Sequence, residues 1–203
     1  IKTIDLKTAV TEEDKIRQVE QYLKTHFQYS DVYIPQYSEL DGVLDGKIGT
    51  QFGLLRLYAA IFTELDIDHQ IAITTNRYDF RVDKDFEAYN FLEEYILYFP
   101  KLNMHLEPTG LFSRLGYITS GLQYNYAIYI KPVEVGDYKT GVAKINFIEA
   151  LPHDKTRNNI TMNVDLSDDI DNPLYKLKIE VSGYYAQSNQ VVYDYLDEET
   201  KKE

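Results

Sequence analysis

Gly49, Thr50 and Gln51 stand at the mouth of an apolar run, KIGTQFGLLRLYAAIF, from Lys47 to Phe62. A glycine turn feeding the N-terminus of a buried helix is a common place to mount a catalytic nucleophile. Nucleophiles, however, are scarce in this chain. It contains 0 Cys, which removes cysteine nucleophiles, disulfides and zinc–thiolate sites together. No GxSxG occurs, and Ser113, Ser120 and Ser182 have no surrounding sequence that marks them out. The histidines, His26, His69, His105 and His153, lie far apart, with no pair at helical ligand spacing and no HExxH. No zinc site is therefore expected.

Acidic clusters are more numerous. Asp165, Asp168, Asp169, Asp171 and Asn172 crowd one loop, but without the central Gly and terminal Glu of an EF-hand, and read as a solvated turn. Asp79, Asp83, Asp85 and Glu87 read the same way. Neither GxxxxGK[ST] nor GxGxxG is present, so no phosphate cradle and no cofactor are expected.

The bulk composition narrows the partners. With 203 residues and a net charge of −12, the chain is long enough to bury a core. It is also too acidic for nucleic acid or an anionic membrane surface. No run approaches the length of a membrane span, and IKTIDLKTAV lacks a signal-peptide core. A chain that opens on Ile reads as a fragment or a processed form. The 19 Tyr and 9 Phe beside 0 Trp fit strand surfaces and core edges, or an aromatic surface for protein or carbohydrate.

The elements that must position these residues follow from pattern. Thr11-Glu12-Glu13-Asp14 opens an amphipathic helix over about residues 11–27, with Ile16, Val19, Leu23 and Phe27 at helical spacing. A long tyrosine-bearing loop follows, ending in the Asp41-Gly42 and Asp45-Gly46 turn signals. The second helix, over 50–65, is apolar on most faces and belongs inside the domain. Strands are expected at 71–73, 95–99 and 102–106, then at 127–130, 142–148, 160–164 and 174–181, and a tail helix over 188–202. The fold class is α+β: a buried helix against a mainly antiparallel sheet, then a β-rich C-terminal module.

Helix, DG-rich loop, Gly49-Thr50-Gln51, then Leu65-Asp66-Ile67-Asp68 and a strand: this order resembles the transglutaminase-like superfamily, in particular its bacterial members with flanking β-rich domains. In that family the helix opens on Gly-Asp-Cys, and Gln51 falls where the Cys stands. Tyr95-Ile96-Leu97-Tyr98-Phe99-Pro100 resembles the strand that follows the catalytic His, which puts Glu94 on the His. His105-Leu106-Glu107-Pro108-Thr109 resembles Trp-Leu-Asp-Pro-Thr, which puts Glu107 on the Asp.

The resemblance implies a transglutaminase/papain-like core over residues 1–130, with a degenerate triad, and an incomplete β-rich domain, a β-sandwich, over 131–203. The family's acyl-enzyme needs a thiolate and an imidazole base; Gln51 is no nucleophile, and Thr50 lies about 100° away around the helix. A pseudoenzyme is therefore expected, a structural or binding module of a larger exported bacterial protein, periplasmic or extracellular. Its ligand would be a protein, a peptide or a glycan, held by Tyr29, Tyr33 and Tyr37 of the long loop and by His105. Other domains of the same polypeptide are the remaining partners. The alternatives are a hydrolase that uses Glu94 and Glu107 as general acid and base, or a spacer between domains.

Overall fold

The computed structural model describes residues 3–86, 89–136, 138–167, 171, 173–196 and 199–200. Its first helix, α1 (Glu12–His26), begins where the sequence pattern places it. The Thr11 hydroxyl accepts the Asp14 N–H at 3.0 Å, and the Asp14 carboxylate accepts the Thr11 N–H at 2.9 Å. This reciprocal box satisfies two N–H groups that the helix start would otherwise leave open. Ile16, Val19 and Leu23 bury the inward face.

The long loop is more ordered than its turn signals indicate. A two-residue strand β1 (Gln28–Tyr29) is followed by a 3-10 turn (Pro35–Ser38), a short helix α2 (Leu40–Gly46) and β2 (Ile48–Gly49), which pairs in parallel with β1. Asp-Gly pairs normally punctuate loops. Here Val43, fully buried between them, ties the segment to the core, and the helix ends at Lys47 in a left-handed conformation with φ 55°.

Helix α3 (Gln51–Glu64) follows at once. Leu54, Leu55, Leu57, Tyr58, Ile61 and Phe62 are all buried, so α3 is an interior helix as its composition requires. It packs on a sheet built from β3 (Gln70–Thr74), β4 (Glu94–Phe99), β5 (Met104–Leu106), β6 (Asn125–Val135) and β7 (Tyr138–Ile148). The strand order is β5-β4-β3-β6-β7, and every pairing is antiparallel. The architecture is α+β.

Side-chain alternation on β4 divides two cores. Leu97 and Phe99, with Tyr95 against them, join α1 and α3 in one cluster; the Phe62 and Phe99 rings meet edge to face at 5.0 Å. Ile96 and Tyr98 point the other way, toward Ala72, Ile118, Leu122, Ala127, Tyr129 and Ile148. Helices cover one face of the sheet, and the segment from Ile118 to Leu122 contributes to the other.

The chain divides into two compact units, Ile1–Ala150 and Leu151–Glu203. A domain boundary at residue 130 falls inside β6, whose ladder with β7 runs from Asn125 to Val135 and keeps β7 with the first unit. The second unit has an antiparallel hairpin, β8 (Arg157–Asp165) with β9 (Leu174–Ser182), and a helix α4 (Tyr184–Tyr195). The expected tail helix thus starts four residues early, after Gly183 with φ 60°, and Lys202 lies outside the described residues. In place of a sandwich, this unit's only sheet among the described residues is two-stranded. No helix among the described residues is long and apolar enough to cross a membrane.

Candidate functional site

The mouth of α3 is built around Thr50. Its hydroxyl accepts the Gly53 N–H at 3.3 Å, lies 2.7 Å from the Ser38 hydroxyl and 3.4 Å from the Tyr37 carbonyl. The Thr50 N–H donates to that same carbonyl at 2.9 Å. Thr50 is an N-cap, the role its residue type favours, and its hydroxyl is fully engaged. Gly53 makes the arrangement possible: a Cβ there would lie 2.0 Å from the Tyr37 oxygen. The loop backbone is thus clamped directly onto the first turn of the helix.

Gln51 is the first residue of α3 and half-buried. Its neighbour Phe52 meets Tyr95 with ring centroids 4.8 Å apart, which brings the start of α3 to the start of β4. Tyr95, however, is the residue turned toward the helices. By strand alternation Glu94 shares the opposite face with Ile96 and Tyr98. Its surroundings agree: burial raises the Glu94 carboxyl above the usual range, and the negative charges of Glu107, Glu93 and Asp79 raise it further.

Glu107 sits just past β5. Its carboxylate accepts the Thr119 N–H at 2.9 Å and the Thr119 hydroxyl at 2.8 Å. Among the described residues no hydrogen bond joins Gln51, Glu94 and Glu107 to one another. The Glu107 charge acts on Glu94, and the neighbours of Gln51 and Glu94, Phe52 and Tyr95, are in ring contact.

The four ligand-binding candidates are similarly divided. Tyr29 and Tyr33 are 50% and 76% exposed, and Tyr29 is held beside Gly49 by the β1–β2 pairing. Tyr37 is half-buried and serves the cap through its backbone. His105 lies elsewhere, on the sheet face turned away from α3. Its Nε2 is 2.8 Å from the Tyr129 hydroxyl and its ring 4.8 Å from that of Tyr98. Burial pushes its pKa down to about 4, so it is neutral at pH 7. No group of acidic or imidazole side chains among the described residues is arranged to hold a metal ion; Glu87, Asp168, Asp169 and Asn172 lie outside them.

No protein-family model, curated protein or solved structure matches this chain.

A buried cluster that no sequence motif marks lies between α1 and the segment near Leu115. Lys24 and Glu20, one turn apart on α1, form a buried pair with Nζ 2.9 Å from Oε1. Lys24 also donates to the Ser113 carbonyl at 2.6 Å and the Ser113 hydroxyl at 3.1 Å. A lysine beside a serine hydroxyl has the composition of a nucleophile–base dyad. The donor pattern argues otherwise. Lys24 is taken up by Glu20 and the Ser113 carbonyl, the Ser113 hydroxyl donates to the Gly110 carbonyl at 2.9 Å, and both residues are 7% exposed or less. The second oxygen of Glu20 accepts the Leu115 N–H at 2.9 Å, so the cluster fastens the segment near Leu115 to α1. Its sequence signal, an i,i+4 Glu–Lys pair, ordinarily marks a solvated helix face.

Proposed function

We propose that this chain is a non-catalytic module, a transglutaminase-like core with a degenerate triad, that has a structural or binding role in a larger exported bacterial protein, periplasmic or extracellular. The observation that carries the reading is the mouth of α3. Gln51 stands where the resemblance requires a thiol, Thr50 is consumed as a cap, and no imidazole lies on the helix-facing side of β4. What the mouth offers instead is Tyr29, exposed and anchored beside it, with the exposed Tyr33 four residues further along the same loop. Amphipathic tyrosine rings at low entropic cost suit recognition of an extended peptide or a glycan.

The test is binding to peptide and glycan arrays by the full chain and by a Tyr29→Ser/Tyr33→Ser variant. Both side chains are exposed, so the variant keeps its fold. A ligand lost only by the variant supports the reading; ligands held equally by both chains, or none at all, count against a binding role.

A second reading has one specific observation in its favour. Glu94 is held protonated more strongly than an ordinary carboxyl, with Glu107 near enough to contribute. Carboxyls with separated environments can divide general acid and general base roles. Turnover of a peptidase or glycosidase substrate that Glu94→Gln abolishes would establish the hydrolase and displace the binding module.

A further inference from the structure

β8 and β9 form a sheet of two strands, and no other strand among the described residues pairs with either. An isolated hairpin is marginal in water; further strands sharing an apolar face, or a helix packed on it, stabilise it, and here α4 contacts both strands without covering the apolar face. This hairpin has the face without the strands. Ile160, Met162 and Val164 alternate with polar residues along β8, and the register sets them opposite Ile179, Leu177 and Tyr175. These six side chains share one face, and each is between 47% and 65% exposed.

The two edges differ. β9 carries Lys176 and Lys178, the kind of charge that repels a further strand. β8 reads RNNITMNVD, with no lysine, proline or glycine, and all of its residues are exposed. Its side chains are also matched to its own reverse. Because successive residues alternate faces, self-pairing must keep Ile160, Met162 and Val164 on one side. An antiparallel register centred on Thr161 does so and overlaps the whole strand. It sets Arg157 opposite Asp165 of the second copy, Asn158 opposite Val164, Asn159 opposite Asn163, Ile160 opposite Met162, and Thr161 opposite itself; only the Asn158–Val164 pair sets a polar side chain against an apolar one. Opposite charges across a ladder favour pairing. Within the hairpin these charges face Ser182 and Leu174; Arg157 donates to the Asp154 carbonyl and Asp165 accepts the Ser167 N–H, so neither meets an opposite charge across the ladder. The same operation on β9 would set Lys178 against itself.

We propose that β8 is the contact between two copies of this chain, paired antiparallel about a twofold axis at Thr161 into a four-stranded sheet ordered β9-β8-β8-β9. The interface is self-complementary, as a twofold contact requires.

Sedimentation equilibrium of the full chain tests it, with a monomer–dimer equilibrium as the expected result. Arg157→Asp and Asp165→Arg each set like charges against each other and weaken the dimer about tenfold, and the combined variant restores it to within about threefold. The absence of native cysteine gives an independent arm. Thr161→Cys sets two thiols opposite each other at a spacing a disulfide can bridge, so mild oxidation links it into a dimer while leaving Lys178→Cys monomeric. A chain that stays monomeric up to its solubility limit overturns the proposal. So does a dimer indifferent to both reversals, or cross-linking of Lys178→Cys as fast as Thr161→Cys.

Discussion

Glu107 and Thr119 are joined twice, the Thr119 N–H and hydroxyl both donating to one carboxylate oxygen at 2.9 and 2.8 Å. Glu107 is 7% exposed whereas Thr119 is exposed, so water can stand in for the acceptor at Thr119 while the buried carboxylate depends on these donors. Glu107→Ala removes the acceptor of both bonds but leaves donors that water can reach, and should cost about 1–2 kcal/mol; Thr119→Val, which removes one donor and keeps the shape, about 1 kcal/mol or less. Urea denaturation midpoints at constant slope check both values. Equal, negligible losses would mean that the carboxylate is not a structural anchor.

The Lys24–Glu20 pair predicts an asymmetry between breaking and replacing. Lys24→Met strands the Glu20 charge in the core and should cost about 3–5 kcal/mol. The combined Lys24→Met/Glu20→Gln variant keeps an acceptor for the Leu115 N–H and buries no charge at either position. It should therefore be more stable than Lys24→Met alone, a non-additivity that thermal or urea unfolding measures directly.

His105 sets the pH dependence. Its folded pKa of about 4 lies below the ordinary 6.5, so between those values the unfolded chain binds a proton that the folded chain refuses. The neutral ring's contribution is complete above pH 6.5 and disappears as pH falls toward 4, by roughly 2–3 kcal/mol. Glu94 has the opposite sign: its raised folded pKa means stability is lost as pH rises from 4.5 through the raised value. His105→Gln should flatten the acid limb of a stability–pH curve. Glu94→Gln should raise stability at pH 7, by less than about 1 kcal/mol because the group is partly solvated.

How far the sequence carries depends on whether a feature is locally encoded. The Thr11 cap, the interior helix and the strand positions rest on neighbours in sequence, and periodicity finds them. Helix α2 does not: its Asp-Gly pairs signal turns, and what overrides them is the burial of Val43 against distant residues. The order β5-β4-β3-β6-β7 and the extension of β6 past residue 130 depend on pairing between remote segments. The burial of Glu20 and Lys24 was hidden because charged i,i+4 pairs mostly face water. The facing of Glu94, in contrast, was available: once Tyr95–Phe99 is a strand, period-two alternation puts Glu94 with Ile96 and Tyr98 and turns Tyr95 toward the helix.

Gly53 and Gly46 should respond oppositely to alanine. A Cβ at Gly53 would sit 2.0 Å from the Tyr37 carbonyl oxygen, a backbone atom that cannot rotate aside. Gly53→Ala must therefore displace the loop from α3 and should cost about 2 kcal/mol or more. A Cβ at Gly46 meets nothing within 4 Å, at an α-helical position. Gly46→Ala should stabilise by about 0.5–1 kcal/mol through the unfolded chain's lost freedom. Hydrogen exchange adds a local readout: amides of residues 28–38 should lose protection in Gly53→Ala alone.

The placement of Tyr95 rather than Glu94 on the helix-facing side leads to a final prediction. Gln51→Cys installs a thiol at the first position of α3, where the helix N-terminus should lower its pKa by roughly half to one unit below 8.5. Alkylation rate against pH measures that shift. The thiol should form no acyl-enzyme with ester substrates, since β4 carries no histidine and Glu94 lies on its other face. Adding Tyr95→His brings an imidazole to the side chain that already reaches Phe52, and alkylation at pH 6 should rise several-fold. Adding Glu94→His should not raise it, because that side chain projects to the opposite face of the sheet. If Glu94→His proved the more effective partner, the facing of β4 at its first residue, and with it the separation of Glu94 from the mouth of α3, would have to be abandoned.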